Sequence, residues 1–106
     1  MNMRDLYRIL YDAGADVVLT GHDHLYERFA PQDPDGRSDP ARGITQFVVG
    51  TGGVPLYDFR MRRPNSIAQA REHGVLKLTL NPESYNYEFI TVGAGTRDFG
   101  ANVACH

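Results

Sequence analysis

The sequence predicts an α/β fold: a mixed β-sheet with an N-terminal helix and a C-terminal β-hairpin. Three observations predict it. Residues 3–13 place apolar side chains at helical spacing, an uninterrupted apolar run at 17–19 then breaks into a polar stretch, and two alternating segments flank a turn near the end. At 106 residues the chain is long enough for one small domain with a modest core, and no internal repeat or domain boundary divides it.

The helix rests on Leu6, Ile9, Leu10 and Ala13 along one side, with Arg4, Asp5, Arg8 and Asp12 towards the other, and Gly14 as C-terminal cap. Val17, Val18 and Leu19 follow without alternation, as expected of a strand covered on both faces. Side chains that act on ligands collect beyond the C-terminal ends of strands in such sheets, which is where His22 and His24 fall. From Ala30 to Gly43 three prolines and two glycines dictate a surface loop, long enough to serve as a lid or rim over a site.

Ile44 to Val49 reads as a second strand. It ends in Gly50-Thr51-Gly52-Gly53, a cluster suited to close approach of another backbone. Residues 55–64, with Tyr57, Phe59, Arg60, Arg62 and Arg63, are assigned no helix or strand and read as a loop. Ser66 and Gln69 have capping-box spacing, which predicts a short helix over 67–72 closed by Gly74. Val75–Leu80 and Tyr85–Val92 alternate around Asn81-Pro82-Glu83-Ser84, a β-hairpin, and the glycine-bearing tail from Gly93 to His106 is expected to be irregular.

Composition narrows the function classes. Hydrophobic residues make up 42% and charged residues 23%, as in globular proteins. A net charge of -2, from 11 basic and 13 acidic residues, supplies no overall attraction for nucleic acid or an anionic membrane. No run reaches the roughly 18 apolar residues of a membrane span, and the N-terminus lacks the apolar core of a signal peptide. The single cysteine, Cys105, excludes an internal disulfide and a cysteine-based zinc site, and the compartment stays open.

The chemistry-bearing stretch is Val17 to Phe29, VVLTGHDHLYERF. If it is extended, alternate residues share a face, so His22 and His24 face one point and suit a metal ion. Spacing alone fits equally two polar residues in a loop; the strand that delivers both histidines favours the metal. Asp23 then points away, to orient a histidine or cap a turn. Tyr26 and Arg28 share the histidines' parity and reach either a substrate or, respectively, the core and a surface ion pair. His73 and His106 read as exposed. Arg60, Arg62 and Arg63 either contact a phosphate or lie in a solvated loop.

Gly21-His22-Asp23-His24, preceded by DVVLT and followed by LYERF, resembles the last block of the calcineurin-like metallophosphoesterases; the Tyr-Glu-Arg continuation is most similar to the purple acid phosphatase branch. FVVGTGG (Phe47 to Gly53) resembles the strand and glycine turn that follow that block, and the hairpin resembles the closing strands of the same domain. The resemblance covers nearly the whole chain but only the C-terminal portion of the family's domain, so residues 1–106 are expected to be that portion.

The resemblance implies part of a four-layer α/β/β/α sandwich that holds two metal ions, iron, zinc or manganese, and hydrolyses phosphate esters. It assigns His22 to one metal and His24 to the other. The family's upstream blocks, an Asp-x-His, a Gly-Asp-x-x-Asp or -Tyr, a Gly-Asn-His-Asp/Glu and a further histidine, do not occur here. Two imidazoles alone do not hold a binuclear centre, so this chain is expected to be incomplete for catalysis. The rival expectation is a non-catalytic, truncated or degenerate module with a structural or vestigial metal site. Half a sandwich leaves apolar surface to bury, which predicts a homo-oligomer. A nucleic-acid binder using Arg60 to Arg63 is the weakest reading, given the acidic balance.

Overall fold

The computed structural model describes residues 2–58 and 63–106. It is a mixed α/β structure with one N-terminal helix and two β-sheets, in the order α1 (Met3–Asp12), β1 (Val17–Thr20), β2 (Tyr26–Phe29), β3 (Thr45–Val49), β4 (Ser66–Ala70), β5 (Gly74–Leu80), β6 (Ser84–Thr91) and β7 (Gly95–Ala104). The first sheet has strand order β1-β3-β2-β4 and is mixed, because β1 and β3 run parallel while β2 is antiparallel to both β3 and β4. The second is the antiparallel meander β5-β6-β7.

Aromatic side chains join the two sheets. Tyr26 and Phe47 from the first meet Tyr85, Tyr87 and Phe89 from the second, with Val17, Ala68, Leu76, Leu78 and Val103 packed around them. The Tyr26 and Phe89 rings stack at 4.1 Å, and Phe47 meets Tyr87 at 5.1 Å in the edge-to-face geometry that aromatic quadrupoles favour. Alternation along β2 then serves two clusters. Tyr26 and Arg28 turn towards the second sheet, while Leu25 and Phe29 pack with Val48 on the opposite face.

The helix forms where expected. The Asn2 side chain accepts from the Asp5 amide at 2.9 Å, and Gly14, at φ +83°, takes the left-handed conformation that ends it. Its orientation differs from the expectation: Leu6 and Ile9 are exposed, and Tyr7, Leu10 and Tyr11 turn inward. The tyrosine hydroxyls decide this, since Tyr7 donates to the Ile44 carbonyl and Tyr11 donates to Asp39 at 2.6 Å.

Four further expectations need correction. Strand β1 is not covered on both faces. It lies at the sheet edge, and Leu19 is 56% exposed. The long loop before β3 is no lid over the histidines. It leaves β2 and enters β3 beside the start of β1, so it sits at the end of the sheet opposite to His22 and His24, where Asp39 and Asp35 tie it to the helix.

Residues 66–70 form strand β4, not a helix. The Ser66 and Gln69 side chains do come together, but around the buried Glu27 carboxylate, which accepts from the Ser66 hydroxyl at 2.6 Å and from Gln69 at 3.4 Å. A buried carboxylate needs such donors, and pairing with β2 supplies them. The tail is not irregular either: β7 is the longest strand. Its inward residues are Asp98, Gly100 and Val103, two of them not apolar, and a register shift breaks their spacing, so no alternation is visible. Gly100 lies so close to the Tyr87 ring that a Cβ there would be 2.4 Å from it.

Candidate metal-ligand turn

Beyond Thr20 the chain does not stay extended. His22 has φ +72°, a left-handed conformation unusual for a residue with a side chain. The Asp23 amide donates to the Gly21 carbonyl at 2.8 Å, and the Leu25 amide to the Asp23 carbonyl at 2.8 Å. Each histidine is therefore the central residue of a three-residue turn, the strained variety in the case of His22. The expectation of an extended His-x-His is corrected on this point. Two tight turns, rather than strand parity, place His22 and His24 on the wall of one open depression of about 480 Å³.

The opposite wall is the glycine turn after β3. The Gly50 amide donates to the Leu25 carbonyl at 3.0 Å, and a Cβ on Gly50 would lie 2.1 Å from the Asp23 carbonyl oxygen. Only glycine permits this approach, as the glycine cluster leads one to expect. Thr51 is buried and its hydroxyl donates to the Gly74 carbonyl at 2.9 Å, fastening the turn to the start of the second sheet.

The two imidazoles are held differently. His24 is half-buried; its Nδ1 lies 3.0 Å from the Pro55 carbonyl oxygen, and its ring stacks on Tyr57 at 4.4 Å. The Tyr57 amide donates to the His24 carbonyl at 2.7 Å. His22 is exposed and its ring has no hydrogen-bond partner among the described residues. The Asp23 carboxylate lies 3.6 Å from Arg63, an open pair that contributes little, while its backbone closes both turns. Arg60 and Arg62 lie outside the described residues.

Tyr26 and Arg28 sit elsewhere. Tyr26 is fully buried and its hydroxyl donates to Asp98 at 2.5 Å, while Arg28 pairs with the same carboxylate at 2.8 and 3.2 Å and lies over the Tyr87 ring. Burial and the Asp98 hydrogen bond push the Tyr26 hydroxyl well above the ordinary tyrosine range. These two side chains join the sheets and do not line the histidine depression.

Pro55, Tyr57 and His73 carry no motif that marks them. His73 is exposed as expected, yet its Nε2 donates to the Val54 carbonyl at 2.9 Å, so two histidines grip successive carbonyls of one loop. No group of three or more His, Cys, Asp or Glu side chains is arranged to hold a metal ion among the described residues. In kind the donors fit a metal: His24 has one ring nitrogen on a carbonyl and the other without a partner among the described residues. In number the pair is a fraction of a site.

The chain is 41% identical over 51 residues to "Purple acid phosphatase 18" of Arabidopsis thaliana, an alignment covering 48% of this chain and 11% of that protein. It is 30% identical over 88 residues to "Probable inactive purple acid phosphatase 1" of the same plant, covering 74% of this chain and 14% of the relative. The chain thus spans only about a seventh or less of the length of these curated relatives. No family model matches the sequence, and no solved structure matches it significantly. The chain thus carries a partial purple acid phosphatase-like region.

Proposed function

We propose that residues 1–106 are the C-terminal portion of a metallophosphoesterase domain and contribute His22 and His24 to the metal site of a phosphate-ester hydrolase. The helix and two sheets would then be part of a four-layer α/β/β/α sandwich, with the remaining ligands on residues outside this sequence. The observation that carries this reading is the shared depression: two imidazoles on adjacent tight turns, braced by a glycine turn that admits no side chain at Gly50. Similarity to purple acid phosphatases supplies the reaction class. Iron, zinc or manganese bound there would polarise a phosphate ester and acidify a water molecule. The chain's own part is to orient His24 through Pro55 and Tyr57 and to keep His22 open to solvent.

The test has two arms. The chain is assayed for hydrolysis of an aryl phosphate with added manganese, zinc or iron, beside a His22→Ala, His24→Ala double variant, and for zinc binding by calorimetry. Zinc binding that disappears in the double variant supports the reading; equal zinc binding in both proteins defeats it.

The second reading is a non-catalytic module that self-associates. Open edges favour it: β1 and β5 are both terminal strands of their sheets, and Leu19 and Val75 on them are 56% and 61% exposed. The word "inactive" in one relative's name agrees with it. Equal background hydrolysis in wild type and double variant, with a dimer or larger species in light scattering, would favour this module; a sharp monomer peak would count against it.

A further inference from the structure

The two histidines are not equivalent ligands, and the difference lies in the segment 54–57. His24 meets that segment three times: Nδ1 on the Pro55 carbonyl at 3.0 Å, the imidazole face on the Tyr57 ring at 4.4 Å and 28°, and the His24 carbonyl on the Tyr57 amide at 2.7 Å. A carbonyl oxygen only accepts, so the proton of the neutral ring is on Nδ1 and the lone pair is on Nε2. Imidazole in water carries its proton mainly on the other nitrogen, so the fold reverses the intrinsic preference. Nε2 has no partner among the described residues.

We infer that Tyr57 and the Pro55 carbonyl are positioning elements which select the Nδ1–H tautomer of His24 and so preset its Nε2 as a ligand for a zinc-like cation. This rests on the metal-site reading above and adds what that reading does not contain: which nitrogen binds, and what fixes it. The carbonyl chooses the tautomer, and the stacked ring keeps the imidazole from rotating away from it. His22, with no such brace among the described residues, is the ligand that adapts. A hydrogen bond to the distal nitrogen raises ligand basicity and fixes ring orientation, and losing such a partner costs about 10- to 100-fold in metal affinity.

The experiment uses the full chain without metal and then with zinc alone. Long-range ¹H–¹⁵N spectra at about pH 8 report the tautomer of His24. The wild type is expected to show Nδ1 protonated and Nε2 bare. Tyr57→Phe keeps the ring and the amide and is expected to match the wild type. Tyr57→Ala is expected to mix the tautomers and to weaken zinc binding by about 10-fold or more. Should the alanine variant not fold by circular dichroism, Tyr57→Leu takes its place. A metal-free wild type with Nε2 protonated would overturn the inference, as would an unchanged tautomer and affinity in the folded variant that removes the ring, Tyr57→Ala or Tyr57→Leu. Correct tautomer behaviour with no zinc binding in any protein would refute the metal reading and the ligand role with it, while upholding the tautomer selection.

Discussion

Replacing Asp98 by alanine should cost about 3 kcal/mol of stability. The carboxylate accepts three hydrogen bonds, one from Tyr26 and two from Arg28, and the Arg28 and Asp98 side chains are only 18% and 13% exposed. Removing one partner of a buried pair costs about 3–5 kcal/mol, because a charge is left without compensation. The lower end applies here, since Arg28 keeps its place over the Tyr87 ring at 5.0 Å and some water reaches it. In urea, with a slope of about 1.5 kcal/mol per molar, the midpoint should fall by about 2 M. Circular dichroism follows the transition. Arg28→Leu combined with Asp98→Leu should cost far less than the two single losses added, because no unpaired charge remains. A loss under about 1 kcal/mol for Asp98→Ala, or strict additivity in the double variant, would refute the claim that this pair ties β2 to β7.

Stability should decline above about pH 10, because burial raises the hydroxyl pKa values of Tyr26, Tyr7, Tyr85 and Tyr87. There the unfolded chain has released tyrosine protons that the native state retains, so Tyr26 alone contributes a fall of about 1.4 kcal/mol per pH unit; Tyr26→Phe should flatten the decline in urea titrations at stepped pH. Gly50→Ala drives a Cβ into the Asp23 backbone and should destabilise by about 1–3 kcal/mol in thermal melts while weakening zinc binding in calorimetry. Ser66→Ala removes the 2.6 Å donor to buried Glu27 and should cost about 1–3 kcal/mol in the same melts. Phe99, 72% exposed on the outer face of β7, should tolerate Phe99→Ser within about 0.5 kcal/mol in urea titrations.

Where side-chain period and turn chemistry agreed, the fold was legible. Helix α1, strand β1, the glycine turn and the hairpin β5-β6 all lie where apolar spacing and turn residues put them. Legibility failed where polar groups decided the outcome. Ser66 and Gln69 look the same whether they cap a helix or solvate a carboxylate, and only the burial of Glu27 in a neighbouring strand separates the two. Strand β7 hides because a carboxylate and a glycine occupy its inward positions, the first matched to Tyr26 and Arg28, the second to Tyr87. The helix turned on two tyrosine hydroxyls that no hydrophobic scale weighs correctly.

For the candidate site, residue identity was readable and conformation was not. His22 and His24 stand out as a motif, yet their arrangement comes from a left-handed φ at His22 and from contacts with Asp23, Gly50, Pro55 and Tyr57. Those contacts span up to some thirty positions along the chain, beyond the reach of local pattern. Parity assigned Tyr26 and Arg28 to the histidines' side; the turns at 22 and 24 intervene, so Tyr26 ends in the core and Arg28 in a half-buried pair with Asp98.

His24 is followed directly by Leu25 and Tyr26, whose side chains enter the two separate apolar clusters, and the Leu25 carbonyl holds Gly50. The histidine turn consequently has no melting transition of its own: to release it is to unpick both clusters at once. The two amides hydrogen-bonded within it, those of Asp23 and Leu25, should exchange with solvent only as fast as the whole molecule opens. Any ion gripping the imidazoles would then be felt by every strand, adding about 2.7 kcal/mol at a hundredfold excess over its dissociation constant. A simple thermal-shift screen of metal salts thereby becomes a direct census of what this turn accepts.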